Sequence, residues 1–297
     1  MDLRPTSNAA AAAKIGNPEG CFLEGVWRRC YSVRERCGYP PSSRLAIRPP
    51  ENSAPIPHFV MGSKPLLAFG AHPDDIEFGC GAVIARETQA RRKAHLVVCS
   101  HGEAGTHGTP KQRIAEAKKA AALLGATIEF LELDGDSHLE IRAAHAIKIA
   151  AIIRRMRPGV ILAPSLVENQ HPDHWRLGKL VRDAARLARF GGVKELRKAA
   201  PHAIGQLFYY AVTADAEPRD ITPVLVDVSP PEILRTWTAA MAAHASQVQA
   251  KAYIELQITR ARLRGLRAGI EHAIALFPND PLVFDSLAQT GRGERSF

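Results

Sequence analysis

Two short segments concentrate side chains capable of metal and proton chemistry. One reads Ala71-His72-Pro73-Asp74-Asp75-Ile76-Glu77, the other Glu168-Asn169-Gln170-His171-Pro172-Asp173-His174. Zinc prefers imidazole nitrogen and carboxylate oxygen, and a catalytic zinc takes three protein ligands and keeps one position open. His72 and Asp75 stand three residues apart, so one turn aims both at a single ion, and His174 supplies a third ligand. Asp74 and His171 then remain for proton transfer, while Asp173 can orient His171 through its ring N–H. An aspartate after a strand also caps helices, and His-Pro also makes turns. The occurrence of two such segments, each after an apolar run, favours the metal reading. Gly79-Cys80-Gly81 lacks the third glycine of GxGxxG, which argues against a nicotinamide site.

The elements that must position these residues alternate along the chain. Apolar runs at 65–70, 95–99, 128–133, 160–163, 207–212 and 224–228 read as strands. Helical patterns fall at 81–90, 110–124, 141–156 and 173–190, with two more near 231–243 and 247–275. Pro110 suits a helix start, and Gly125 a stop. Strands separated by helices of ten to fifteen residues imply βαβ units, hence an α/β fold with a mainly parallel sheet and helices on both faces. In such sheets the site lies outside the carboxyl ends of the strands. That places it at 70–80, 100–110, 134–138 and 164–174, where both His/Asp segments fall.

Composition sets the limits. The chain has 297 residues, 46% of them hydrophobic and 23% charged, enough for a sizeable core and against wholesale disorder. No run of 18 apolar residues occurs, so no spanning helix is expected. Net charge is +9, yet aromatics are only 6% and no nucleic-acid motif is present, so no nucleic-acid partner is expected. The cysteines number five, with no CxxC pair, which argues against a secreted disulfide framework and for a cytoplasmic protein. Residues 1–60 hold 8 of the 21 prolines and no period, and read as a disordered extension. Met61 is a plausible alternative start, and 61–297 is expected to form a single catalytic domain.

Ala71-His72-Pro73-Asp74-Asp75 together with His171-Pro172-Asp173-His174 resembles the zinc-dependent de-N-acetylases of the PIG-L/LmbE superfamily. The resemblance covers roughly residues 64–290. It implies a Rossmann-like fold, metal ligands His72, Asp75 and His174, Asp74 as general base, and His171 facing the developing oxyanion. It further implies that Arg113, in an Arg-x-x-Glu helix start, and Asp136 contact the sugar. The family more often has glycine where this chain has Ser137. The cofactor implied is Zn²⁺, with Fe²⁺ or Co²⁺ also suited to such ligands. The implied substrate is an N-acetylglucosaminyl conjugate, and the implied assembly a homo-oligomer without membrane contact. The stretches 69–79 and 102–110 and Phe208-Tyr209-Tyr210 look closer to the branch acting on N-acetylglucosaminyl malate in bacillithiol synthesis. An inositol conjugate, a chito-sugar, or a non-catalytic sugar- or nucleotide-binding module are the alternatives.

Deletion of residues 1–60 is expected to leave folding and metal content unchanged, because the first core strand begins beyond them. A truncated chain that aggregates where the full chain does not would show that the extension is part of the folded unit.

Overall fold

The computed structural model describes residues 64–168, 171–249, 252–291 and 293. The expected extension at 1–60 lies outside these residues, as do Asn169 and Gln170. Strand β1 (Leu66–Gly70) is buried along its whole length, as a central parallel strand must be. Helix α1 (Asp75–Gln89) leads to β2 (Ala94–Val98), α2 (Pro110–Leu123) to β3 (Thr127–Phe130), and α3 (Ala143–Met156) to β4 (Val160–Pro164). Helix α4 (Pro172–Ala188) precedes β5 (Gln206–Tyr210) and β6 (Val224–Asp227). The chain closes with α5 (Pro231–Ala242), α6 (Ala245–Val248), α7 (Tyr253–Arg267) and β7 (Ala273–Pro278).

The seven strands lie in the order β3-β2-β1-β4-β5-β7-β6. The first five in that order are parallel, and β7 runs antiparallel to both its neighbours. The expected mainly parallel α/β sheet is therefore present. Alternation along β1 separates two cores. Leu66 and Ala68 pack with α1, α2, α5 and α7, whereas Leu67 and Phe69 pack with α3 and α4. Strand order reverses at β1, which has β2 on one side and β4 on the other. The crevice beyond this reversal is where α/β sheets bind ligands.

Two expectations need correction. The helix expected at 81–90 begins at Asp75. Gly79 and Gly81 do not interrupt it, because they make room for neighbours: a Cβ at Gly79 would lie 2.1 Å from the Tyr210 ring, and one at Gly81 2.9 Å from Trp237. The helix expected over 247–275 breaks up into α6, α7 and β7. Gly269, at φ +68°, follows the end of α7, and the apolar run 273–277 fills the gap between β5 and β6. A short apolar run fits a buried strand or a buried helix equally, and only the sheet decides between them.

Helix α4 is held tightly against β4, since a Cβ at Gly178 would lie 2.3 Å from the Pro164 carbonyl oxygen. Backbone cannot yield as a flexible side chain can. Gly178→Ala is therefore expected to destabilise the fold by about 1–3 kcal/mol in urea unfolding. Gly192→Ala, whose Cβ would meet nothing within 4 Å, is the control and should keep the wild-type midpoint.

Candidate functional site

The first His/Asp segment is the turn from β1 into α1. Asp75 shapes it: one carboxylate oxygen accepts the backbone N–H groups of Ala71 (2.9 Å) and His72 (2.8 Å). The other oxygen lies 3.1 Å from Nε2 of His174. His72 Nδ1 stands 3.4 Å from the Asp75 carboxylate. His72, Asp75 and His174 thus bring one ligand atom each into a common space, a group able to hold a metal ion. Two imidazoles and one carboxylate suit zinc and also Fe²⁺ or Co²⁺. Burial pushes the Asp75 carboxyl up, but His174 and His72 outweigh it and hold it well below the usual range.

The second segment opens α4. His171 is its N-cap, and its Nδ1 accepts the Asp173 backbone N–H at 3.3 Å. Pro172 occupies the first turn, where its missing donor costs nothing. His174 follows one residue beyond Asp173, so the helix start aims its ring back at β1. The Asp173 carboxylate does not turn chiefly to His171, as the sequence suggests. It lies 3.3 Å from Nε2 of His72 and 3.9 Å from Nδ1 of His171. Asp173 therefore orients a proposed metal ligand, as carboxylates commonly do for metal-binding imidazoles.

Asp74, the expected general base, lines the same cavity beside Asp75. Its backbone adopts φ 135°, a strained conformation for a non-glycine residue. Burial first, and then the neighbouring Asp75 charge, raise its carboxyl to about 6. Arg113 lies 3.4 Å away and opposes that rise. The guanidinium of Arg113 is only 4% exposed and donates to the carbonyls of Gly102 (3.0 Å) and Pro73 (3.1 Å). It ties the β2 loop to the β1 turn and also lines the cavity, where the expected sugar contact would fall.

Asp136 is also turned inward. Its carboxylate contacts His72 Nε2 at 3.2 Å and accepts the Ala104 N–H at 3.2 Å. Burial works against its charge, yet the His72 hydrogen bond outweighs this and brings the carboxyl down to about 2. Glu103 joins the loops after β2 and β3 by accepting the backbone N–H groups of Asp136 (2.8 Å) and His101 (2.9 Å).

These groups open onto one cavity of about 380 Å³. His72, Asp74, Asp75, Arg113, Asp136, His171 and His174 all line it, so one crevice gathers every expected site residue except Asp173, which lies behind His72. Lining residues missed by the sequence reading include Ser137, Thr213, Gln247, Tyr253 and Gln257. No local motif announces the last three, because the fold carries them in from the far end of the chain. Ser137 did leave a trace, as a departure from the glycine of the resembled family.

Residues 67–185 match the model of the PIG-L family, described as GlcNAc-PI de-N-acetylase. This stretch of the chain resembles the PIG-L/LmbE-like deacetylase superfamily. It is 31% identical over 161 residues to the diacetylchitobiose deacetylase of Thermococcus kodakarensis, covering 50% of this chain and 60% of that protein. It is 29% identical over 143 residues to the 4-oxalmesaconate hydratase of Pseudomonas putida, covering 44% of this chain and 55% of that protein. The chain therefore spans little more than half the length of these two relatives. Among solved structures, the conserved protein TT1542 from Thermus thermophilus superposes with a TM-score of 0.67 at 28% identity, covering 74% of this chain and 97% of that one. The PIG-L match ends before the segments that supply Thr213, Gln247, Tyr253 and Gln257, so the cavity wall they form is outside the matched region.

One divalent ion per chain is expected in the purified protein. His174→Ala should lower that content by at least tenfold in elemental analysis, and chelation should lower the melting temperature of the wild type. A His174→Ala chain with a full metal complement would overturn this ligand set.

Proposed function

We propose that the protein is a metal-dependent hydrolase that removes the N-acetyl group from an N-acetylglucosaminyl conjugate. The observation that carries this reading is the placement of Asp74, a half-buried carboxylate, beside the His72, Asp75 and His174 group at a single cavity. A divalent ion held by those three residues would polarise the acetyl carbonyl and bring the pKa of water towards 7. Asp74 takes the proton from water as its oxygen attacks the acetyl carbon. His171, 35% exposed by side chain and on the cavity wall, faces the oxygen on which negative charge develops. The C–N bond then breaks, acetate leaves, and Asp74 or His171 returns a proton to the amine. Asp136 and Asp173 keep the His72 ring in place from its far nitrogen.

The cavity lining bears on the aglycone. Among its described residues Arg113 is the only guanidinium, no lysine is present, and two of the guanidinium nitrogens already serve the Gly102 and Pro73 carbonyls. Thr106, Thr213, Gln247, Tyr253 and Gln257 offer neutral hydrogen-bonding groups instead. A malate conjugate, the sequence expectation, would bring two carboxylates to a wall that already carries Asp74, Asp75 and Asp136. The lining therefore favours a neutral aglycone, an inositol or a second amino sugar, over malate. It disfavours hydration of a polycarboxylate for the same reason, although one relative carries a hydratase name.

Acetate release from a panel of N-acetylglucosaminyl conjugates tests the reaction and the aglycone together. Neutral conjugates should be turned over with higher kcat/KM than the malate conjugate, and no release from any of them would refute the deacetylase reading. Asp74→Asn should retain the metal and lose about 10²–10⁴-fold in kcat, the usual contribution of a general base. Activity within threefold of wild type would remove Asp74 from that role.

A further inference from the structure

Ser137 combines an unfavourable backbone with a set of contacts that its side chain alone can complete. Its φ is +69°, in the left-handed region where glycine is at ease and other residues are disfavoured. Gly135, two residues earlier, takes φ +89° in the same loop. Glycine at 137 would satisfy the backbone better, and it would still give the 2.7 Å bond from the residue 137 N–H to the Asp173 carboxylate. What glycine cannot give is the hydroxyl. Ser137 Oγ donates to Asp136 Oδ1 at 3.1 Å and stands 3.3 Å from Nε2 of His171.

The directions of these bonds are mutually consistent. His171 Nδ1 accepts from the Asp173 backbone N–H, so in the neutral ring Nε2 carries the hydrogen. That N–H points to Ser137 Oγ, whose own hydrogen goes to Asp136. The His171 ring is thus held at both nitrogens: one by the start of α4, the other by the loop after β3. Its ring contacts are with His72 at 4.4 Å and His174 at 5.6 Å between centroids, and neither contact fixes its rotation as a hydrogen bond does.

We propose that Ser137 is a positioning residue, whose hydroxyl links Asp136 to His171 and fixes the orientation of the His171 ring at the cavity wall. This rests on the deacetylase reading given above. It also accounts for a serine in a backbone conformation suited to glycine: the strain is kept because the hydroxyl contributes to turnover rather than to folding.

Ser137→Gly and Ser137→Ala separate these effects. Both should keep one metal ion per chain. Ser137→Gly should melt no lower than wild type, because glycine accepts φ +69° freely. Both variants should nevertheless lose roughly tenfold in kcat, with KM within about twofold, the pattern of a misplaced catalytic group. A purely structural serine predicts the opposite, with Ser137→Gly as stable and as active as wild type. That result, kcat within twofold, would overturn the proposal. Crystal structures of wild type and Ser137→Gly supply a second readout that needs no activity. The His171 ring should leave its wild-type orientation in the variant, and an unmoved ring would overturn the proposal whatever the substrate proves to be. Absence of acetate release by the wild type would instead count against the deacetylase reading, and the ring comparison would still decide on Ser137.

Discussion

Buried carboxylates must be neutralised, and in this protein the imidazole of His72 is where they meet. Asp75 approaches one ring nitrogen at 3.4 Å, while Asp136 and Asp173 approach the other at 3.2 and 3.3 Å. Like charges this close in a site of low dielectric repel by several kcal/mol unless cations stand among them. Burial disfavours a proton on His72, yet the three carboxylates raise its pKa well above the usual imidazole range. A divalent ion on the His72, Asp75 and His174 set would answer the same electrostatic demand from the Nδ1 side, while Arg113 answers it beside Asp74. The loops are built around that demand. The ends of β1, β3 and β4 each supply at least one of the carboxylates, and the β2 loop supplies Glu103 and the backbone of Ala104 to hold the β3 loop in register. Only a parallel arrangement with β2, β1 and β4 adjacent brings these ends to one place.

The sequence made legible those parts in which local chemistry and local conformation agree. The buried run of β1 and the Pro-Asp-His start of α4 place His72, Asp75 and His174 by short-range rules alone, and the structure brings them together. The orientation of Asp173 was not legible in this way. From its position it serves His171 as plausibly as His72, and only the approach of β1 to α4 decides for His72. Arg113 and Asp136 line the expected crevice, and the further contacts of their side chains, with the Gly102 carbonyl and with His72, are ones a linear reading cannot count. The neutral wall of the cavity was invisible for a different reason. Gln247, Tyr253 and Gln257 lie in the stretch read as one long helix, and the break between α6 and α7 is what presents them to the site.

Net charge and the cavity lining point in different directions. A chain of +9 invites an anionic ligand, yet the cavity holds an excess of carboxylates over cations among its described lining. The basic residues gather elsewhere, for instance Arg182, Arg186 and Arg189 around a separate cavity at the opposite end of α4. Overall charge governs long-range attraction and solubility, whereas selection of a substrate depends on the few groups at contact distance. Carboxylates in excess at the cavity suit a site able to hold a cation.

Backbone strain divides in the same way between construction and chemistry. Among the described residues, four that are not glycine have positive φ: Asp74, Arg91, Ser137 and Arg157. Arg91 and Arg157 follow helices α1 and α3, where a left-handed residue ends the helix and turns the chain into the next strand. They stand at the amino ends of strands, away from the cavity. Asp74 and Ser137 stand at the carboxyl ends, and both line the cavity. Each is held by neighbours that over-determine it. Arg113 grips the Pro73 carbonyl just before Asp74, and the Asp173 carboxylate grips the N–H of Ser137. Strained residues persist only where such support exists. Here the support comes from the same buried charges that form the site, so the groups that hold His72 in place also hold Asp74 and the Ser137 hydroxyl in conformations the chain would not adopt alone.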